Sequence, residues 1–451
     1  MKKTAVLILL TASLYAGGLK DLQLSGYAEN MTSLVAAEDE SISDIALLRL
    51  EASWDYKTYG GIETHLIVSA PLTPLDPSVG IREGSVMDRL FVDIEKSLIG
   101  MINGYMPQLE IPEDMDSTEY FSLMEQQAAA QEQAVEELIS YMPYSSLYPR
   151  DKFILDRAMI KLYFRHFDLF IGRQMIAWGT GYAFNPTDAW NSKNPFDPEA
   201  PKIGVNALRA EIPFGALSGL SLVVSPGADF NHTAGGVRWK TNIARFDLSL
   251  CGMRIMTADR EIYSLFAESV PSVFTKRSLV PEKLIAGLDF AGQIGEIGVW
   301  GETAFNNPVY SGMEYYDLDS LYIQAVAGGD YTFENGLYTM AEYYYNGLGK
   351  GDHNEYGAID LVNLFAGEMA GFGRHYLMTG GNFTLGDRFP AGLFALGNLA
   401  DISVILIPSI GYEFGDNITC KLSCRIGAGD QAKSEYGGIH PNVIFLVRGY
   451  F

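Results

Sequence analysis

Histidines are the chain's main candidates for acid–base or metal chemistry, and all six are scattered: His65, His166, His232, His353, His375 and His440. None has the spacing of a zinc site. Asp352 and His353 are adjacent in a predicted loop, which leaves a catalytic cluster open as an alternative. Gly179-Thr-Gly181 is not a phosphate loop, because no Gly-Lys-Ser/Thr follows it. We therefore expect no enzymatic activity, no bound metal and no cofactor.

Charged residues recur at every second position in several segments, a pattern typical of a lining rather than of catalysis. In Leu48–Tyr56, Arg49, Glu51 and Asp55 alternate with apolar residues, and Ile418–Ile426 repeats the pattern. Strand side chains alternate between two faces, so one face is apolar and the other is charged and wet. The residues predicted to line a pore are Arg49, Glu51, Arg157, Lys161, Arg165, Arg173, Arg209, Glu211, Arg245, Asp247, Lys421 and Arg425.

The last nine residues, Val443–Phe451, place apolar side chains on one strand face and end on an aromatic residue. An exported soluble protein rarely ends on an uncovered apolar edge strand. Only helices and closed barrels satisfy every backbone group in lipid, and after residue 16 no stretch approaches the ~18 apolar residues of a membrane helix. We predict an all-β fold: a transmembrane antiparallel up-and-down β-barrel of about 18 strands, within the range 16–20, with one helical insert.

The chain begins with the features of an export signal. Lys2 and Lys3 precede the apolar run Thr4–Ala12, and small residues follow at 16–18. This order predicts a signal peptide at residues 1–16 and a barrel formed by residues 17–451.

Tight turns alternate with longer connections along the chain. Glu334-Asn-Gly336 and Gly415-Asp-Asn417 have hairpin-turn chemistry. The longer connections are predicted at 179–202, 257–282, 307–319, 348–372 and 428–438. Short turns at one end and long loops at the other match the periplasmic and extracellular ends of such barrels.

Residues 107–152 break the strand pattern and are acidic. Apolar residues recur there at steps of three and four from Phe121 to Met142, which predicts an amphipathic helix. The insert could cap the rim, constrict the lumen or form a disordered loop. The formal net charge of −23 is concentrated in such loops, whereas the predicted wall is mixed and somewhat basic. Nucleic acid is therefore an unexpected partner.

One segment carries a more specific motif than the alternation of apolar and charged residues along the strands. Ile171–Asp188 contains Gly-Arg-Gln, then Trp-Gly, then Asn-Pro, and Asn194–Pro198 continues the Asn-Pro-rich loop. It resembles a segment of poorly characterised bacterial outer-membrane barrels of the porin and alginate-export-like type. The C-terminal strand ending at Phe451 likewise resembles that of outer-membrane barrels. The resemblance implies Gram-negative outer-membrane localisation and transport more than catalysis. The loop itself is either a packed closure of the outer mouth or a ligand contact.

These features together predict a porin-like channel for passive or weakly selective diffusion of small hydrophilic solutes. The alternative is a non-conducting structural, adhesion or ligand-binding barrel. Expected partners are outer-membrane lipid and lipopolysaccharide, the barrel-assembly machinery through the C-terminal strand, and the solutes themselves.

The insert allows a first test. An isolated helix of this length is marginal in water, so the stripe from Phe121 to Met142 needs an apolar partner. If that partner lies in the lumen, replacing residues 110–148 by a short Gly/Ser bridge raises single-channel conductance while the barrel still assembles. A conductance equal to that of the full-length protein would place the insert outside the permeation path.

Overall fold

Eighteen antiparallel strands form one closed ring in the computed structural model. The structure describes residues 22–35, 41–56, 59–71, 82–90, 92, 153–190, 204–227, 233–256, 282–308, 321–365 and 368–451. The predicted signal peptide and the predicted helical insert lie outside these residues. The strands are β1 (Leu22–Val35), β2 (Ser41–Tyr56), β3 (Gly60–Pro71), β4 (Phe153–Tyr163), β5 (Asp168–Gln174), β6 (Val205–Pro213), β7 (Ser218–Ser225), β8 (Ala234–Ile243), β9 (Phe246–Met256), β10 (Glu282–Ile294), β11 (Ile297–Pro308), β12 (Tyr322–Thr332), β13 (Tyr338–Asn346), β14 (His375–Leu385), β15 (Phe389–Asn398), β16 (Ser403–Phe414), β17 (Ile418–Ala428) and β18 (Asn442–Tyr450).

Each strand pairs with the next one along the chain, and β18 pairs with β1 to close the ring. The closing register runs from Tyr27 opposite Tyr450 to Val35 opposite Asn442. Beyond it, Gly26 and Phe451 exchange two backbone hydrogen bonds of 3.1 Å. The Phe451 ring lies against Gly26, because a Cβ added to this glycine would be 3.0 Å from the ring. The predicted barrel and its strand number are confirmed, and no strand of the ring has a free edge.

The two ends of the barrel differ, as the turn chemistry predicts. Eight short turns and both ends of the described barrel lie at one end, here called the turn end. The longer connections lie at the other, here called the loop end, where the β1–β2 and β15–β16 connections are short. Gly336 and Gly415 have positive φ angles of 83° and 62° in their turns, a conformation that glycine adopts without steric cost.

An exposed large apolar side chain stands at every one of the eight turns and at the C-terminus. We call this set the apolar ring; its members are Tyr59, Phe164, Phe214, Ile243, Ile294, Phe333, Phe389, Phe414 and Phe451. Outward-facing strand residues above it are also apolar and exposed, among them Leu208, Leu250, Leu288 and Phe305. The outer surface is therefore apolar over the height of the wall. The sequence patterns did not single out this ring.

The β13–β14 connection contains a 3-10 turn at His353–Glu355 and helix α1 (Ala358–Phe365). Asp352 caps this turn, because its carboxylate accepts a hydrogen bond from the backbone N–H of Asn354. In the part of the chain that the structure describes, no helix is long and apolar enough to cross a membrane.

Ring closure predicts the effect of removing the last strand. Deleting residues 443–451 leaves β1 and β17 each with one unpaired edge, and unpaired backbone groups are not tolerated in lipid. We expect the truncated protein to lose heat-modifiable mobility on gels and to disappear from the membrane fraction. Normal membrane assembly of the truncation would contradict a closed transmembrane barrel.

Candidate functional site

Residues 175–190, here called the lumen loop, leave the wall and run through the barrel interior. β5 ends early at Gln174, and the chain then turns inward. Ile176 and Trp178 are buried against inward residues of β6 to β11, including Met253. A Cβ on Gly236 would lie only 3.0 Å from the Trp178 indole, so the small residue leaves room for this ring.

The second half of the lumen loop reaches the opposite part of the wall. Phe184 stacks on Tyr344 with ring centroids 4.3 Å apart and contacts Tyr376 at 5.9 Å. Ala183 and Phe184 are buried in a cluster contributed by β11 to β16 and the β17–β18 connection. The described part of the loop therefore crosses the lumen and fills part of its cross-section, whereas the predicted Asn194–Pro198 segment lies outside the described residues.

Two buried carboxylates anchor the lumen loop. Glu302 on β11 accepts backbone hydrogen bonds from Thr180, Gly181 and Thr187, at 2.8, 3.1 and 2.5 Å, and a bond of 2.8 Å from the Thr187 hydroxyl. Gly179 adopts a φ of 88°, and a Cβ there would come within 2.7 Å of this carboxylate. The loop conformation thus requires glycine at position 179.

Glu342 on β13 holds the next part of the loop. Its carboxylate accepts backbone hydrogen bonds from Tyr182, Ala183 and Phe184, at 2.5, 2.8 and 2.9 Å, and one of 2.6 Å from the Trp300 indole N–H. Loop N–H groups buried in a barrel have no neighbouring strand to bond to, and leaving them unpaired is costly. Carboxylates that accept several N–H groups supply strong, charge-assisted bonds in their place.

A charged wall faces the interior on β2, β3, β4 and β6. Arg49 donates to Glu51 at 2.5 Å and to Asp156 at 2.9 Å, and its guanidinium lies 2.8 Å from a ring nitrogen of His65. The β3–β4 register shifts beside His65, and Asp156 is the extra residue of this bulge. The bulge allows both Asp156 and Arg157 to face the interior.

The other cations of this wall are also matched by carboxylates. Glu63 pairs with Arg157 at 3.5 Å and with Lys161 at 2.7 Å. Arg209 lies 3.7 Å from Glu211, and its guanidinium stacks 4.3 Å above the Phe170 ring. The charges on β2, β3, β4 and β6 are therefore nearly compensated, whereas the sequence prediction of a mixed and somewhat basic wall concerned the whole barrel.

The strand register locates every residue predicted to line a pore. Nine occupy inward positions, alternating with exposed apolar neighbours: Arg49, Glu51, Arg157, Lys161, Arg209, Glu211, Asp247, Lys421 and Arg425. Arg165 and Arg245 lie instead in exposed turns at the turn end. In the strand register, Arg173 lies opposite Ala158 and Asn206. It is on the same face of β5 as the exposed Ile171, which is the outer face. These three are not placed on the inner wall; a role in permeation stays a prediction for the nine.

A cavity of about 790 Å³ lies between the lumen loop and the turn end, along β6 to β10. Thr180 of the lumen loop borders it, and Arg209, Glu211, Arg238 and Lys240 line its wall. Arg238 pairs with Asp289 at 2.9 Å. The lumen thus keeps a polar space beneath the loop, lined by side chains that hydrogen-bond to water or to polar solutes.

A buried polar network joins three connections at the loop end. Glu435 accepts hydrogen bonds from the Tyr376 hydroxyl at 2.6 Å and from Asn398 at 2.8 Å. Asp401 accepts from the Glu435 backbone N–H at 2.8 Å and from the Tyr356 hydroxyl at 3.0 Å. Burial raises the pKa of Glu435 to about 8; the Tyr376 hydroxyl opposes this shift and the nearby Asp401 adds to it.

Residues 82–90 of the long β3–β4 connection pack on the β17–β18 connection. The backbone N–H of Arg82 donates to Gly438 at 2.8 Å, and the Arg89 guanidinium donates to the Ala432 carbonyl at 2.5 Å. Gln431 donates to the Glu83 carbonyl at 3.1 Å. Elsewhere at the loop end, a buried ion pair of 2.6 Å joins Lys283 of β10 to Glu368. The described connections at the loop end are therefore bonded to one another and to the wall.

No protein-family model and no curated protein matches this chain. Among solved structures, similar barrels occur in Salmonella typhi OmpF in complex with daunomycin, with 9% identity over 95% of this chain and 97% of that one at a TM-score of 0.42. An engineered Rhodopseudomonas blastica porin has 11% identity over 95% and 100% of the chains at 0.41. Vibrio cholerae OmpT, in a trimer form, has 7% identity over 95% and 99% at 0.39. The fold assignment rests on the strand pairing itself.

The anchoring of the lumen loop can be tested at its two carboxylates. Glu302→Gln replaces one acceptor oxygen by an NH₂ group, which cannot accept hydrogen bonds from the loop N–H groups. We expect the free energy of unfolding to fall by about 1–3 kcal/mol. We expect a lower denaturation midpoint in micelles and increased current noise in any conducting preparation, with Glu342→Gln acting alike. Glu211→Gln is the matched control, because Glu211 is a half-buried inward carboxylate that the loop does not contact. Equal effects in all three variants would contradict the anchoring role.

The loop-end network predicts a pH dependence. A raised acid pKa means that the packed network favours neutral Glu435, whereas an opened loop ionises it near the ordinary value of 4.5. The free energy that keeps the loops packed therefore falls as the pH rises from about 4.5 to about 8. We expect protease cleavage in residues 429–441 to accelerate across this window in the wild type and to stay flat in Glu435→Gln. A flat wild-type profile would contradict it.

Proposed function

We propose that this chain is a porin-like channel of the bacterial outer membrane that lets small hydrophilic solutes diffuse through a partly filled lumen. The observation that carries the proposal is the inversion of polarity across one closed wall. Leu208 and Leu250 are exposed on the outside, whereas their strand neighbours Arg209 and Ser249 face inward. A closed sheet that is apolar outside and charged inside suits lipid around it and water within it.

The height of the apolar surface supports membrane insertion. On β12, the outward row runs from Leu321 near the loop end to Phe333 in the apolar ring, and both side chains are exposed. Twelve residue steps of ~3.3 Å at a tilt of about 40° span roughly 30 Å along the barrel axis. This height is close to the ~30 Å hydrocarbon core of a bilayer. The apolar ring then lies at one membrane interface.

The lumen loop sets the character of the proposed channel. It occupies the part of the lumen next to β6–β16 and leaves the β2–β4 part of the charged wall on the other side. Solutes are expected to pass between the two and through the polar cavity that Thr180 and Arg209 border. Because the charges of the wall are mutually paired, we expect only weak ion selectivity. Lipid, lipopolysaccharide and, through Phe451, an assembly machinery are the proposed partners.

A second candidate is a non-conducting barrel. The interlocked connections at the loop end favour it, because Glu435, Asp401 and Tyr356 form a buried network over β13–β16. In that case the lumen would be closed from the loop end. Single-channel recording of the purified full-length protein in planar bilayers separates the two. Stepwise conductance supports the channel, and a silent bilayer containing heat-modifiable protein supports the closed barrel.

Charge reversal on the inner wall tests the permeation path. Replacing Arg157, Lys161 and Arg209 by Glu changes the formal charge of the wall by six negative units. Charge rings set pore selectivity, so we expect the reversal potential under a salt gradient to shift toward cations. The matched control replaces Arg165 and Arg245, both in exposed turns, by Glu and is expected to shift it much less. An unchanged potential in a conducting triple variant would remove these residues from the path.

A further inference from the structure

Opposite sides of the lumen differ in chemistry. In a ring of 18 strands, strands nine places apart face each other across the axis, so β6 faces β15 and β4 faces β13. The charged wall occupies β2, β3, β4 and β6. By the same rule its counterparts are β11, β12, β13 and β15. Half-buried apolar residues face inward on β13, β15 and the neighbouring β16, whereas β17 presents Lys421 and Arg425.

We call this second surface the apolar arc. Its half-buried members are Tyr182, Tyr338, Phe394 and Ile407. The strand neighbours Leu393 and Leu406 are exposed on the outer face, which places Phe394 and Ile407 on the inner face. Phe394 pairs directly with Ile407. Tyr182 of the lumen loop stacks on Phe394, with ring centroids 6.1 Å apart and an interplanar angle of 15°.

The apolar arc is the partly exposed margin of the packing that holds the lumen loop, because Tyr182, Tyr338 and Phe394 pack against that cluster without being buried in it. Leu396 and Ile405, the inward residues one step nearer the loop end, are 1% and 2% exposed beneath the loop. Phe394 and Ile407 on the same two strands are only half-buried. The loop therefore covers the upper part of this apolar surface and leaves the lower part accessible to the interior.

We propose that the channel favours small amphiphilic solutes, with an apolar face for the apolar arc and an uncharged, hydroxyl-rich edge for the charged wall. This inference rests on the proposed channel function. The apolar face is set by Phe394, Ile407 and the stacked Tyr182, which form a surface of aromatic-ring size. The polar edge is uncharged because Arg157, Lys161 and Arg209 already have carboxylate partners, so a further charge would gain little.

Two glucosides that differ only in the aglycone test the preference. Phenyl β-glucoside and methyl β-glucoside share the hydroxylated ring, and only the phenyl compound has a second, apolar face. The test records single-channel currents of the full-length protein in the presence of each glucoside. We expect phenyl glucoside to block half of the ion current at a concentration about tenfold lower than methyl glucoside, because binding of its ring to the arc removes apolar surface from water. Equal half-blocking concentrations in a conducting channel would overturn the inference and leave the channel function standing.

Substitutions assign the effect to the arc. Phe394→Ser with Ile407→Thr removes its centre, and we expect the ratio of the two half-blocking concentrations to fall toward one while salt conductance persists. Leu393→Ala is the matched control, since Leu393 lies on the same strand but faces outward and is 54% exposed. A ratio that falls equally in the control would overturn the assignment. A wild-type protein that assembles without conducting would overturn both the inference and the proposed channel.

Discussion

The need of every buried N–H group for an acceptor governs both the wall and the interior of this protein. In the wall, the N–H groups of each strand find acceptors on the strands before and after it in the chain, and the pairing of β1 with β18 completes the ring. Inside, the lumen loop has no neighbouring strand, and Glu302 and Glu342 take the place of one. The same rule thus explains a closed sheet and two acidic residues buried in an apolar surrounding.

Filling the lumen from one side gives the interior its asymmetry. Trp178 and Phe184 bring apolar surface into a barrel whose inner face is charged on β2–β4, and they pack it against β6 to β16. What remains open is bordered by the paired charges of β2–β4 and by the uncovered apolar arc. A strongly basic wall is not needed to keep such a lumen polar, because ion pairs such as Arg209–Glu211 stay partly exposed to it while cancelling in net charge.

The alternation of residues along the strands was sufficient to predict the barrel, its strand number and its two unequal ends. It could not reveal the lumen loop, since Trp178 and Phe184 suit a rim as well as a core. Period-2 patterns also do not distinguish a carboxylate that faces water from one that faces loop N–H groups, as at Glu302. Arg165 and Arg245 were misplaced because alternation continues into a tight turn, and Arg173 because it shares its row with Ile171.

The nearest-neighbour pairing of the strands has a consequence for how the molecule forms. Seventeen of the eighteen pairings join strands that are consecutive in the chain, so hairpins can add one after another at low entropic cost. The remaining one brings Tyr27 to Tyr450 and can form only when all the other strands are in place. Until then the growing sheet has two open edges, at which partly folded chains are most prone to associate with one another.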